Sequence, residues 1–131
     1  MTRFVVDAGA VLELARAGVD IPAEHSLLAP TLLRSQVLSE LHEAVQRGEI
    51  PADVARERLA WIGRLPIRLL GDGVLRRRAW QLADRLGWAS TYNAEYVALT
   101  QLQADVLVTL DEDLARSLQG IVTTAGTEAL R

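Results

Sequence analysis

"TYNAEYVALTQLQADVLVTLDED", residues 91–113, holds the pattern that decides the fold. Residues 91–104 read as a helix, and "VLVTL" (106–110) reads as a strand too apolar to be exposed. A helix that runs into a buried strand is half of a parallel α/β unit. This strand ends in Asp111, Glu112 and Asp113, and carboxylates at that place often mark a metal or phosphoryl site.

The same alternation extends outward. "RFVVD" (3–7) reads as a first buried strand, and "AGAVLELARAG" (8–18) as a helix closed by Gly18. "SLLAP" (26–30) is a second strand, stopped by Pro30. "TLLRSQVLSELHEAVQRG" (31–48) is an amphipathic helix with Leu33, Val37, Leu41 and Ala44 on one stripe, widened by Leu38 and Val45. Thr31 is its expected cap. "IPADVARERLAWIGRLP" (50–66) begins a helix at Pro51, and the short link to the preceding helix implies an antiparallel hairpin. "IRLL" (67–70) is a strand, and "DGVLRRRAWQLADRLG" (72–87) a helix between an Asp72 cap and a Gly87 stop. A short helix (111–118) and a strand "IVTT" (121–124) follow. The expected fold is a single-domain, three-layer α/β/α sandwich around a mostly parallel sheet. Ligands in such sheets bind at the carboxyl ends of the strands, which places Asp7 and Asp111 on one edge.

Composition narrows the chemistry. At 131 residues, half of them hydrophobic, the chain suits one soluble globular domain. No apolar run reaches the ~18 residues of a membrane span, and the N-terminus lacks a signal-peptide layout, so a cytoplasmic protein without a membrane partner is expected. There is no cysteine, which excludes disulfides and thiolate metal sites. All 14 basic residues are arginine, which excludes chemistry that needs a lysine, such as a P-loop or a Schiff base. The net charge of −3 gives no overall sign of nucleic-acid binding.

Each acid has an ordinary reading of its own. Asp7 after a strand is a helix cap. Glu40 lies about 60° from Val37 around its helix, at the rim of the apolar face. Asp111 also suits a cap, but Asp113 two residues on exceeds what one cap needs. Together the acids fit a hard divalent ion, Mg²⁺ or Mn²⁺, which takes oxygen ligands and can lower the pKa of a bound water. Arg76, Arg77 and Arg78 fan ~200° around a helix and form no single patch. His25 and His42 read as surface residues without metal-ligand spacing, and Trp61, Trp80 and Trp88 as core or interface residues.

Three segments carry a resemblance: "FVVDAGAVLELA" (4–15), "LLRSQVLSELHEA" (32–44) and "STYNAEYVALTQLQADVLVTLDEDLAR" (90–116). In order and spacing the chain resembles a PIN-domain protein of the VapC toxin type. The resemblance implies a PIN-like α/β/α sandwich, a divalent-metal-dependent endoribonuclease acting on RNA, a cognate antitoxin protein and a homodimer. It matches Asp7, Glu40 and Asp111 to the family's metal-holding acids, Asp113 to an accessory acid, and Thr109 to a small hydroxyl residue before the last acid. Asn93 stands where the family normally has its third acid. It also implies that the helical hairpin of residues 31–66, apolar through Leu38, Leu41, Val45, Leu59, Trp61 and Ile62, helps to receive the antitoxin.

Asn offers one neutral carbonyl oxygen where Asp offers two anionic ones, so metal affinity should fall. Glu95 stands ~200° around the helix from Asn93 and does not replace it. The expected function is therefore a toxin ribonuclease weakened at Asn93. Two alternatives stand beside it. One is a module that binds RNA or an antitoxin without cleavage. The other is an aspartate-nucleophile phosphatase, since "VTLDEDLA" loosely matches a D-x-D motif.

Overall fold

Strands β1 (Arg3–Val6), β2 (Ser26–Pro30) and β4 (Val106–Val108) are consecutive apolar runs rather than alternating ones. Phe4, Val5, Val6, Leu27, Leu28, Ala29, Leu107 and Val108 are all buried, so both faces of the sheet centre are covered. That pattern belongs to parallel sheets flanked by helices. The computed structural model describes all 131 residues and shows this arrangement. β3 (Ile67–Leu70) and β5 (Thr124–Ala125) complete a five-stranded sheet in the order β3-β2-β1-β4-β5. Every pairing is parallel, which sharpens the expectation of a mostly parallel sheet.

Helices cover the sheet in two groups. α1 (Ala8–Ala17), α2 (Leu32–Gln46) and α3 (Ala52–Gly63) pack on one another. α4 (Gly73–Leu86) packs on α5 (Tyr92–Gln103), which lies across β1, β2 and β4. The result is a three-layer α/β/α sandwich with one contiguous apolar core. α6 (Glu112–Ser117) follows β4. No helix is long and apolar enough to cross a membrane.

The strand order fixes where a site can form. From β1 the chain winds outward through β2 to β3, then returns to β1's other side as β4 and continues to β5. β1 and β4 therefore flank the switch point, where diverging connections open a crevice at the carboxyl ends of the strands. Their register pairs Val6 with Val108, which sets Asp7 level with Thr109 at that crevice.

Several local expectations shift. Gly18 and Gly87 close α1 and α4 in the left-handed region, and Asp72 caps α4 by accepting from the Leu75 N–H at 2.9 Å. Thr31 does not cap α2. Its backbone is already helical (φ −56°), so its hydroxyl does not reach back to the first free amides, and its own N–H donates to the Leu70 carbonyl. The last strand is Thr124–Ala125 rather than 121–124, because residues 121–123 turn out of α6 before the chain reaches the sheet edge. A 3-10 turn at Thr127–Leu130 follows and buries Leu130. Trp80 is not core: it stands 67% exposed on α4. His25 is not a free surface residue either. Its ring meets Phe4 edge-on at 5.0 Å and its Nδ1 is buried.

Candidate metal site at the β1/β4 switch point

Asp7 leaves β1 and starts α1. Its Oδ1 accepts the Ala10 N–H at 2.9 Å, so the helix cap and the candidate ligand are one residue. Asp111 repeats this at α6, where its Oδ1 accepts the Leu114 N–H at 3.0 Å. Each cap occupies one carboxylate oxygen and fixes the direction of the other. The ordinary and the functional readings of these acids are therefore compatible.

Thr109 ties the pair together. It is buried at the end of β4, and its Oγ1 accepts the Asp111 N–H at 3.1 Å. The hydroxyl proton is left for Asp7, whose carboxyl it holds down. Burial works the other way and dominates, so the Asp7 carboxyl lies above the ordinary carboxylate value, with the Asp111 charge adding to the rise. Glu40 is also raised, first by burial, then by the charges of Glu43 and Asp7. Asp7 is thus within electrostatic reach of an acid on either side.

Tyr96 lies at the base of this cluster. It is 2% exposed and donates its hydroxyl to Gln36 Oε1 at 2.6 Å. Its phenol is pushed upward by burial and by the charges of Asp7, Glu95 and Glu40. Neither Tyr96 nor Gln36 stood out in the sequence as a site residue. One signal was present: Gln36 is four residues before Glu40, on the same face of α2.

The remaining expected residues stand farther out. Asn93 is exposed in the first turn of α5, two residues past the N-cap position Thr91, whose side chain makes no capping hydrogen bond. It lines a cleft of about 650 Å³ with Gln36, Trp88, Tyr92, Asp111 and Asp113. Asp113 is exposed there and pairs with Arg116 one turn along α6. Glu40 opens instead on a second depression, of about 390 Å³, that also holds Arg47 and Arg58. No three acidic or imidazole side chains converge as a ready cage for a metal ion.

The donor set still suits one kind of ion. Mg²⁺ keeps several waters and is commonly held by one or two carboxylates together with substrate phosphates. Asp7 and Asp111 are the carboxylates that would hold such an ion, whose charge would offset the repulsion between them. A closed, all-protein site does not fit these residues.

No family model matches the chain, and no curated protein matches it. Among solved structures, the chain is similar to the crystal structure of PAE2754 from Pyrobaculum aerophilum. The likeness covers 98% of this chain and 93% of that one, at a TM-score of 0.73 and 21% identity. At that identity the likeness shows the fold alone.

Proposed function

We propose that this chain is a divalent-metal-dependent endoribonuclease of the PIN type, the toxin of a cytoplasmic toxin–antitoxin pair, weakened by Asn93. The observation that carries the reading is the pair of capped carboxylates, Asp7 and Asp111, joined through Thr109 at the switch point of the sheet. Asp7 and Asp111 would hold Mg²⁺ or Mn²⁺, with Glu40 at the rim and Asp113 outside. A bound ion would activate water and offset charge on an RNA phosphate. The chain's own part is orientation: two helix caps and the Thr109 hydroxyl hold the two carboxylates in place, and Tyr96 with Gln36 braces the floor. The raised Glu40 carboxyl holds a proton to higher pH than an ordinary glutamate and suits proton transfer at the rim.

The partners follow from surface features. An antitoxin segment would sit in the apolar groove of about 270 Å³ between α2 and α3, lined by Leu38, Leu41, Val45, Ala55 and Leu59. Leu38 is 57% exposed there. The exposed Trp80 would contribute to a homodimer contact.

The test is Asn93→Asp. It returns one anionic ligand to the cleft, so RNA cleavage dependent on Mg²⁺ or Mn²⁺ should rise above that of the parent chain and vanish in EDTA. Equal cleavage by the two proteins would reject the assignment. A second reading, a module that binds RNA or an antitoxin without cutting, draws on the neutral amide of Asn93 and the open acid arrangement. Absence of Mn²⁺ binding at millimolar concentration in both proteins would favour it.

A further inference from the structure

The cleft beside Asp111 contains two aromatic rings that the acid chemistry leaves unused. Trp88 directly follows Gly87, whose φ of 70° ends α4 and turns the chain toward α5. Its indole is half-buried against the core. Tyr92 opens α5 and is 57% exposed at the same cleft. Burial of an aromatic ring is strongly favourable, so an open ring at the mouth of a cavity offers surface to a ligand.

The charge of the lining limits that ligand. No arginine lines the cleft, whereas Asp111 and Asp113 do. Arg116 offsets Asp113 from outside. An anionic group such as a free phosphate is therefore disfavoured here. A flat, neutral ring with N–H donors is favoured, since the exposed Asp113 carboxylate on the lining can accept from it. Two polar groups retain hydrogens to direct such a ring. Gln36 uses its Oε1 on Tyr96 and keeps its amide N–H groups, while Ser90 Oγ accepts the Tyr92 N–H at 3.3 Å and keeps its hydroxyl proton. The cavity, about 650 Å³, is large enough for one base with its sugar.

We propose that this cleft is a nucleobase subsite, in which an unpaired base of single-stranded RNA stacks on Tyr92 with its edge toward Gln36 and Ser90. The inference rests on the reading of RNA as substrate and extends it: the RNA must be unpaired where it meets the acids, since a base inside a duplex has no free face. Trp88 forms the wall behind the base. Tyr92 sets position by stacking, which tolerates any base.

The test measures binding of a fluorescein-labelled, mixed-sequence single-stranded RNA in EDTA, so that cleavage and metal play no part. Tyr92→Ala should raise Kd roughly 5- to 150-fold, the equivalent of about 1–3 kcal/mol for one stacked base. Tyr92→Phe keeps the ring and should bind like the parent. An abasic strand should bind the parent weakly and show no further loss with Tyr92→Ala. If the parent binds RNA and Tyr92→Ala binds equally well, the subsite is overturned while the RNA reading stands. Equal losses in the Phe and Ala variants also overturn stacking. If the parent binds no RNA either in EDTA or with Ca²⁺ in place of Mg²⁺, both readings fall.

Discussion

Replacing Asp7 separates the two roles that the structure gives it. Its Oδ1 accepts the Ala10 N–H at 2.9 Å, while its charge is half-buried beside that of Asp111. Asn keeps a capping oxygen and removes the charge; Ala removes both. A cap of this kind is worth about 1 kcal/mol, within roughly 0.5–2. Asp7→Asn should therefore be more stable than Asp7→Ala by about that amount, or roughly 3–5 °C in Tm for a domain of this size. Asn should also exceed the parent at neutral pH, because the folded parent carries an unfavourable charge. The sign follows from the raised carboxyl. Above the ordinary value of 3.8, the unfolded chain has released a proton that the folded chain still holds, so the parent loses stability as pH rises through that window. The advantage of Asn should shrink as pH falls back through the window and Asp7 becomes neutral. Urea unfolding of the three proteins at several pH values gives each quantity. A parent more stable than Asn at pH 7, or a gap that does not close on acidification, would refute the electrostatic argument. Equal stability of Asn and Ala would refute the cap.

Two further variants test the floor of the site. Thr109→Val keeps the shape of a buried side chain but leaves the Asp111 N–H without its acceptor, and should cost about 1–3 kcal/mol in urea unfolding. The same variant should extend to higher pH the window in which stability falls as pH rises, because Asp7 loses the hydroxyl that holds its carboxyl down. Tyr96→Phe breaks the 2.6 Å bond to Gln36 and should cost roughly 0.5–1.5 kcal/mol, read as a lower urea midpoint at unchanged slope.

Sequence patterning carried the architecture. "FVV", "LLA" and "VLV" are apolar without alternation, which requires cover on both faces and hence helices on both sides of a parallel sheet. Gly18, Gly87 and Asp72 marked helix ends, because a left-handed turn or a side-chain cap depends on the residue at the position itself. Signals failed where distant parts of the chain decide the outcome. Thr31 has the right side chain for a cap, but its backbone is drawn to Leu70. The two residues of β5 are strand only because β4 offers them a free edge, and "IVTT" contains nothing that fixes the register to within three residues.

The site divides along the same line. The sequence by itself determined the acids and their places: Asp7 and Asp111 at strand ends, Glu40 at a helix rim, and an uncharged amide at Asn93. Only the tertiary structure decided which of them meet. Strands β1 and β4, about a hundred residues apart in the chain, become neighbours because the sheet order reverses at β1, and that reversal joins Asp7 to Asp111 through Thr109. It also turned Asp113 outward to Arg116 and added Tyr96, Gln36 and Tyr92, residues whose type announces no chemistry. Strand and helix character follow from local periodicity, which a single segment carries. Convergence depends on the order of strands in the sheet, which emerges when the separate apolar faces find a common core.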